Sequence, residues 1–481
     1  MDSTSKHQAG FKVKDRISAL PDAILCHIIS SLQTKHAVRT GILSPRWKNI
    51  WVSVPNLDFN DRDFNDSASF STFVERVLFF RSSSDIQKFL LHCSAAEDYS
   101  RICGWILTAI RHNVVELDLR VASHGSQIFE LPSSLFVCKT LTVLKLLSPF
   151  ITNTPASGCF PSLKCLLVTV HLPKDNDSML KLFTKCPVLE ELTIQGCLQA
   201  DIVLNVNISA PILKILRMNF GSNDDREASN FFVDVPMLEY LDLTEDFLSN
   251  YFLSCGNSLV RAILDLCDPM SSVDPDFPTR VSGLLAGVSN MKYLSLSIHR
   301  FKVGCLPAFN NLTKLKLVLL ECFPWELLTQ ILERSPHVEH LVLEHSVRCV
   351  SVVMHETKCS CFTRLFSLKS FAYGQLTSCD DDDSFDDDSE YDSEPEEPPK
   401  PQWLPPQVVP ICLVSHLKTV AIEGFKGQVD AIEVAKYFLR NGAVLEKLTV
   451  SKAPTCEEIQ ALYEELLTVP RVSKACIVEF I

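Results

Sequence analysis

The chain has 481 residues, 46% of them hydrophobic and 9% aromatic, which is ample for a core and excludes global disorder. Its formal charge of −13 is local: twelve acidic residues and no Lys or Arg lie between Asp380 and Glu397, and outside that run 46 acids face 45 bases. A remainder with a net charge of −1 lacks the basic footprint of a nucleic-acid binder, and no run reaches the roughly 18 apolar residues of a membrane span.

The N-terminal stretch MDSTSKHQAGFKVKDR is polar and shows no secretory signal, so nineteen cysteines read as reduced thiols of the cytoplasm or nucleus. The first organised stretch, ISALPDAILCHIISSL, puts Leu20, Ile24, Leu25, Ile28, Ile29 and Leu32 at helical spacing, with Pro21 and Asp22 in the first turn. Thr34 caps a second short helix in which Val38, Ile42 and Leu43 are apolar. Ser44 and Pro45 start a third, on which Trp47, Ile50 and Trp51 share a face before Pro55 stops it. Three short helices in about forty residues cannot enclose much core. The rest of the chain or a partner must cover some of their apolar surface. Two amphipathic stretches follow, FSTFVERVLFF (70–80) and GWILTAIRHNVVEL (104–117), expected as helices that close the open end of the next region.

That region repeats. The unit is apolar-x-x-apolar-x-apolar: VVELDL (114–119), LTVLKL (141–146), LKCLLV (163–168), LEELTI (189–194), LKILRM (213–218), LEYLDL (238–243), MKYLSL (291–296), LTKLKL (312–317), VEHLVL (338–343), LKSFAY (368–373), LKTVAI (417–422) and LEKLTV (445–450). Most copies start 21 to 30 residues apart. One doubled gap holds a degraded copy, LVRAILDL (259–266), and the other holds the acidic run. A period near 25 with this pattern is the leucine-rich-repeat signature, in which each unit gives one short strand of a solenoid. The Asn or Cys that often follows the strand is mostly missing, so an irregular horseshoe is expected, with short or absent helices on its convex side.

After Cys379 the chain turns acidic and then proline-dense, seven of the sixteen residues from Pro395 to Pro410 being Pro. Such a stretch reads as a solvated spacer. Ser384, Ser389 and Ser393 lie among its carboxylates, a context that acid-directed kinases favour. Order resumes as a strand, a turn at Gly424–Gly427, and a helix with Ile432, Ala435, Phe438 and Leu439 on one face. Asn441–Gly442 ends that helix, and another strand follows.

The stretch LPDAILCHIISSLQTKHAVRTGILSPRWKNIWVSVPNLDF resembles the F-box of plant F-box/leucine-rich-repeat proteins. The likeness is carried by Leu20-Pro21, the Ile24-Leu25 and Ile28-Ile29 pairs, Leu43-Ser44, Arg46-Trp47, Trp51 and Val54-Pro55. Residues 41–45 depart from the family, reading Gly-Ile-Leu-Ser-Pro where Ser-x-Leu-Ser-Lys is commoner. CLVSHLKTVAIEGFKGQVDAIEVAKYFLRNGAVLEKLTV resembles the FBD module that closes many members. The resemblance implies an α/β solenoid: an F-box at 15–60, a helical linker and N-terminal cap at 61–112, leucine-rich repeats at 113–378, an acidic and Pro-rich loop at 379–407, and an FBD-like cap at 408–481. It further implies a substrate receptor of an SCF-type cullin–RING ubiquitin ligase, docked on a Skp-family adaptor and through it on cullin. The expected adaptor anchors are Leu20, Pro21, Ile24, Leu25, Ile28, Leu43, Trp47 and Trp51, while Ile29, Val38 and Ile50 are expected to be the domain's own core. Aromatic anchors dominate interfaces of this kind.

Catalysis is not expected. Cys359-Ser-Cys361 and the isolated Cys186, Cys197, Cys255 and Cys267 do not form the paired CxxC groups of a structural zinc site. Cys26-His27 and His92-Cys93 sit inside amphipathic runs, where a small buried hydrophobe is the default. No phosphate-binding loop, zinc-protease or serine-hydrolase motif is present, and no cofactor or metal is expected. A leucine-rich scaffold acting outside a ligase is the alternative, and a receptor whose concave face takes a small-molecule co-ligand is a third. Solvent-facing strand positions such as Glu116, Lys145, Glu191, Arg217, Lys314 and Glu339 spell no particular substrate.

Overall fold

The computed structural model describes residues 17, 19–81, 85–94, 98–122, 129–147, 150–151, 160–171, 186–198, 203, 205–222, 228–245, 248–266, 275–298, 306–319, 325–345, 403–425, 429–452 and 460–481. The chain forms two compact units, one of Met1–Gly196 with Asn207–Leu216, the other of Cys197–Val206 with Arg217–Ile481. The repeat LKSFAY, the acidic run with its three serines, Cys267 and the Cys359–Cys361 pair lie outside the described residues.

In the first unit, helices α1 (Asp22–Ile29) and α2 (Thr34–Arg39) precede a 3₁₀ helix over Trp47–Ser53. The strands are β1 (Asn56–Asn60), β2 (Lys88–Cys93), β3 (Glu116–Val121), β4 (Phe129–Glu130), β5 (Val143–Leu146), β6 (Phe150–Ile151) and β7 (Cys165–His171). β1, β2, β3, β5 and β7 pair in that order, all parallel. Leu57, Phe89, Leu117, Leu144 and Leu166 fall in one register column, and all are buried. Burying each such side chain contributes roughly 1.5–3 kcal/mol.

The parallel sheet therefore starts earlier than the consensus units, at β1. Helix α3 (Ser67–Phe80), capped by Asp66 through Ser69 N–H at 2.7 Å, crosses from β1 to β2. Helix α4 (Tyr99–Arg111) crosses from β2 to β3. Both expected helices exist, yet they are crossovers of the sheet, and the second stops at Arg111 because Asn113, at φ 56°, turns the chain into β3. Edge strand β1 is met by α2: the Asp58 N–H donates to Thr34 Oγ1 at 2.7 Å.

Strands β8 (Glu191–Leu198), β9 (Asn205–Ser209) and β10 (Ile215–Ser222) follow in chain order. In the second unit come β11 (Asn230–Val235), β12 (Tyr240–Glu245), β13 (Asn250–Cys255), β14 (Arg261–Leu266), β15 (Tyr293–Ile298), β16 (Lys314–Leu319), β17 (His340–His345), β18 (Thr419–Phe425), β19 (Lys447–Lys452) and β20 (Ile477–Phe480). From β12 through β14 to β20 these pair successively and in parallel, while β11 pairs with β13 apart from them. The degraded copy LVRAILDL is β14, in its expected place between β12 and β15. β17 bonds directly to β18, although 73 residues separate His345 from Thr419 in sequence.

Helices α5 (Phe277–Gly287), α6 (Trp325–Arg334), α7 (Ile411–Ser415), α8 (Val429–Asn441) and α9 (Gln460–Thr468) lie in the connections of this unit. Several are three turns long, so the expectation of short or absent helices fails here. Trp325, Leu328 and Ile331 of α6, and Ile432, Ala435, Phe438 and Leu439 of α8, form apolar stripes at helical spacing, and all are buried.

Candidate docking site

The N-terminal helices build a small core of their own from Leu25, Ile29, Ala37, Trp47, Ile50 and Val54, with Leu20, Cys26 and Trp51 packed half-buried against it. The third helix is 3₁₀ and not α, which decides where its rings go. At three residues per turn, positions 47 and 50 eclipse. Trp47 and Ile50 therefore both point inward, and Trp51 is rotated off to the flank. Gly41 lies in a one-turn 3₁₀ segment, Thr40–Ile42, and not in the body of α2.

Of the expected anchors, Leu25 at 0% and Trp47 at 4% exposure belong to this core. Ile24 at 46%, Ile28 at 45% and Leu43 at 65% stand in solvent, with Pro21 exposed beside them. Ile29 and Ile50 are core as expected, and Val38 is half-buried. Ile42, 88% exposed, is not one of the expected anchors. Its signal was the adjacent apolar pair Ile42-Leu43 at the end of a short helix, where no turn geometry buries two neighbours at once.

Arg46 locks the start of α1. Its guanidinium donates to the Leu20 carbonyl and, at 2.7 Å, to the Asp22 carboxylate. The block is stitched to the first strands of its unit: Lys35 donates to the Asp63 carbonyl and stands 4.2 Å over the Phe64 ring, and buried Arg81 donates to the Val54 carbonyl. Ile24 and Ile28, one turn apart on α1, are thus held on a fixed support with nothing of this block over them.

Residues 17–59 match the F-box domain, residues 102–256 the leucine-rich repeats of "FBD-associated F-box protein At5g56370", and residues 405–450 the FBD. F-box/LRR-repeat protein 13 of Arabidopsis thaliana is 30% identical over 479 residues, which cover 95% of this chain and 94% of that protein. The chain belongs to the plant F-box/LRR-repeat family. F-box/FBD/LRR-repeat protein At4g00160 of the same plant is 30% identical over 96% of this chain and 93% of its own length. In this F-box/LRR-repeat protein, burial pushes the Cys93 and Cys412 thiols up to about 12 and Cys255 to about 11, far from a nucleophile's range. Cys186 is buried, and Cys26 is half-buried with its thiol raised by desolvation. Among the described residues, no three or more His, Cys, Asp or Glu are grouped to hold a metal ion, and no helix is long and apolar enough to cross a membrane.

Proposed function

We propose that this chain is the substrate-recognition subunit of an SCF-type cullin–RING ubiquitin ligase. Its F-box (15–60) docks a Skp-family adaptor, and its repeats and FBD-like module (113–378 and 408–481) hold the protein to be ubiquitinated. The observation that carries the proposal is the pair Ile24 and Ile28, exposed on the helix whose adjacent face, Leu25 and Ile29, fills the core. Pro21, Ile42 and Leu43 add to the exposed set, and Leu20 and Trp51 are half-buried against the core. Leu25 and Trp47 act by holding the helices and do not touch the adaptor. Covering the exposed part of each aliphatic contributes on the order of 1 kcal/mol, so four or five together supply a useful share of a specific interface.

Co-expression with a Skp-family adaptor and cullin tests the assignment. A stoichiometric ternary complex is expected. A chain that purifies folded and leaves the adaptor free would transfer the repeats to the alternative, a scaffold working outside any ligase.

A further inference from the structure

Tyr240, Arg261, Tyr293 and Lys314 occupy matched register positions on β12, β14, β15 and β16, beside the strand positions of the buried leucines. The Arg261 guanidinium carbon lies 4.3 Å from the Tyr293 ring centroid and 5.8 Å from that of Tyr240. Arg217 flanks the Tyr240 ring at 5.2 Å. A guanidinium stacked on tyrosine is held flat, with its N–H fork left edge-on for a planar anion. Elsewhere in this unit ion pairs take up the strand lysines: Lys316 with Glu344, Lys418 with Glu339, and Lys447 with Glu479. Arg261 and Lys314 are exposed and form no such close ion pair among the described residues, although the half-buried Asp242 carboxylate feels the charge of Arg217 and Arg261.

Resting on the receptor role proposed above, we infer that this row binds a protein segment bearing two carboxylates three residues apart in polyproline II conformation. Arg261 and Lys314 sit on strands two apart in the sheet, roughly 10 Å at the usual strand spacing. A polyproline II segment has three residues per turn and rises about 3.1 Å per residue, so acids at i and i+3 lie on one face about 9 Å apart. Tyr293 lies between the two cations and supplies the aromatic floor on which such segments dock. Asp242 and Asp265, on the same strands as Tyr240 and Arg261, repel a continuous polyanion and select spaced acids over a nucleic-acid backbone.

Short Pro-rich synthetic peptides with two Glu separated by zero to four residues, each with a Gln-for-Glu control, are arrayed and probed with the purified full chain. Signal is expected to peak at the i, i+3 spacing and to vanish in the Gln control. It falls about tenfold or more in an Arg261→Ala/Lys314→Ala variant, as for the loss of two charge-assisted contacts. Unchanged melting and adaptor binding of that variant confirm that it folds. No spacing preference, no signal, or equal signal from the variant overturns the inference, as does single-stranded RNA binding in place of the peptides. Adaptor binding of the same preparation separates the two proposals: its loss counts against the receptor role, and a flat array with adaptor bound counts against the acid-binding row alone.

Discussion

Thr34 Oγ1 accepts the backbone N–H of Asp58 at 2.7 Å, joining the second F-box helix to edge strand β1 across 24 residues of sequence. An edge strand presents backbone donors that must find a partner, and here the F-box supplies it. Thr34 is buried, so Thr34→Val keeps the shape and orphans the amide, at a cost of about 1–3 kcal/mol. Faster hydrogen exchange at the Asp58 amide, with the rest of β1 and β2 following, is the expected readout. Unchanged exchange would mean that the strand edge is held by other groups.

Gly424 closes β18 against β17. Its φ is +68°, in the left-handed region, and a Cβ placed there would stand 2.6 Å from the His345 carbonyl oxygen. The β18–β19 register slips at this point, between Ile422 and Phe425. Gly424→Ala therefore strains the backbone and forces the strands apart, with an expected loss of about 1–3 kcal/mol. Denaturant titration followed by fluorescence checks it; a midpoint equal to wild type would contradict the account.

Glu245 is buried and accepts from Ser249 N–H at 3.1 Å, Ser249 O–H at 2.7 Å and, from β13, Tyr251 O–H at 2.7 Å. Removing one donor from a buried charge is costly. Tyr251→Phe is expected to destabilise by about 1–3 kcal/mol, whereas Tyr240→Phe, whose hydroxyl meets half-buried Asp242 at 3.2 Å, costs less. Comparing the unfolding midpoints of the two variants decides the order.

Glu116 lies between two lysines. Burial works against its carboxylate, but Lys88 at 2.8 Å and Lys145 at 2.9 Å outweigh it and hold its pKa below the usual range. A depressed folded-state pKa gives stabilisation that is present above the unfolded carboxylate value, about 4.3, and is lost as pH falls through the lower folded value. Melting scans should show wild type exceeding Glu116→Gln at neutral pH and converging on it below about pH 4. A gap independent of pH would show that the lysines do not hold the charge.

The consensus strands were legible because each unit places three apolar residues, spaced three and then two apart, into a shared core, as Met291, Leu294 and Leu296 do beside Leu312, Leu315 and Leu317. β1 and β2 were not, since NLDFN and KFLLHC carry the alternation without the full consensus. β11 and β13 lie in the connections, where no repeat spacing announces them. In the F-box, helical spacing marked Ile24 and Leu25 as equivalent. Packing against Trp47 separates them, Leu25 inward and Ile24 outward. The Trp51 position depended on a 3₁₀ winding that Ser44 and Pro45 do not encode.

Calorimetric titration of a Skp-family adaptor into the purified chain tests the central claim most directly, with Ile24→Asp/Ile28→Asp as the variant. Both positions are exposed, so the variant is expected to melt as wild type does while binding at least about tenfold more weakly, as two buried anchors require. Equal affinity of variant and wild type, or no heat of binding from a folded wild-type chain, would contradict it.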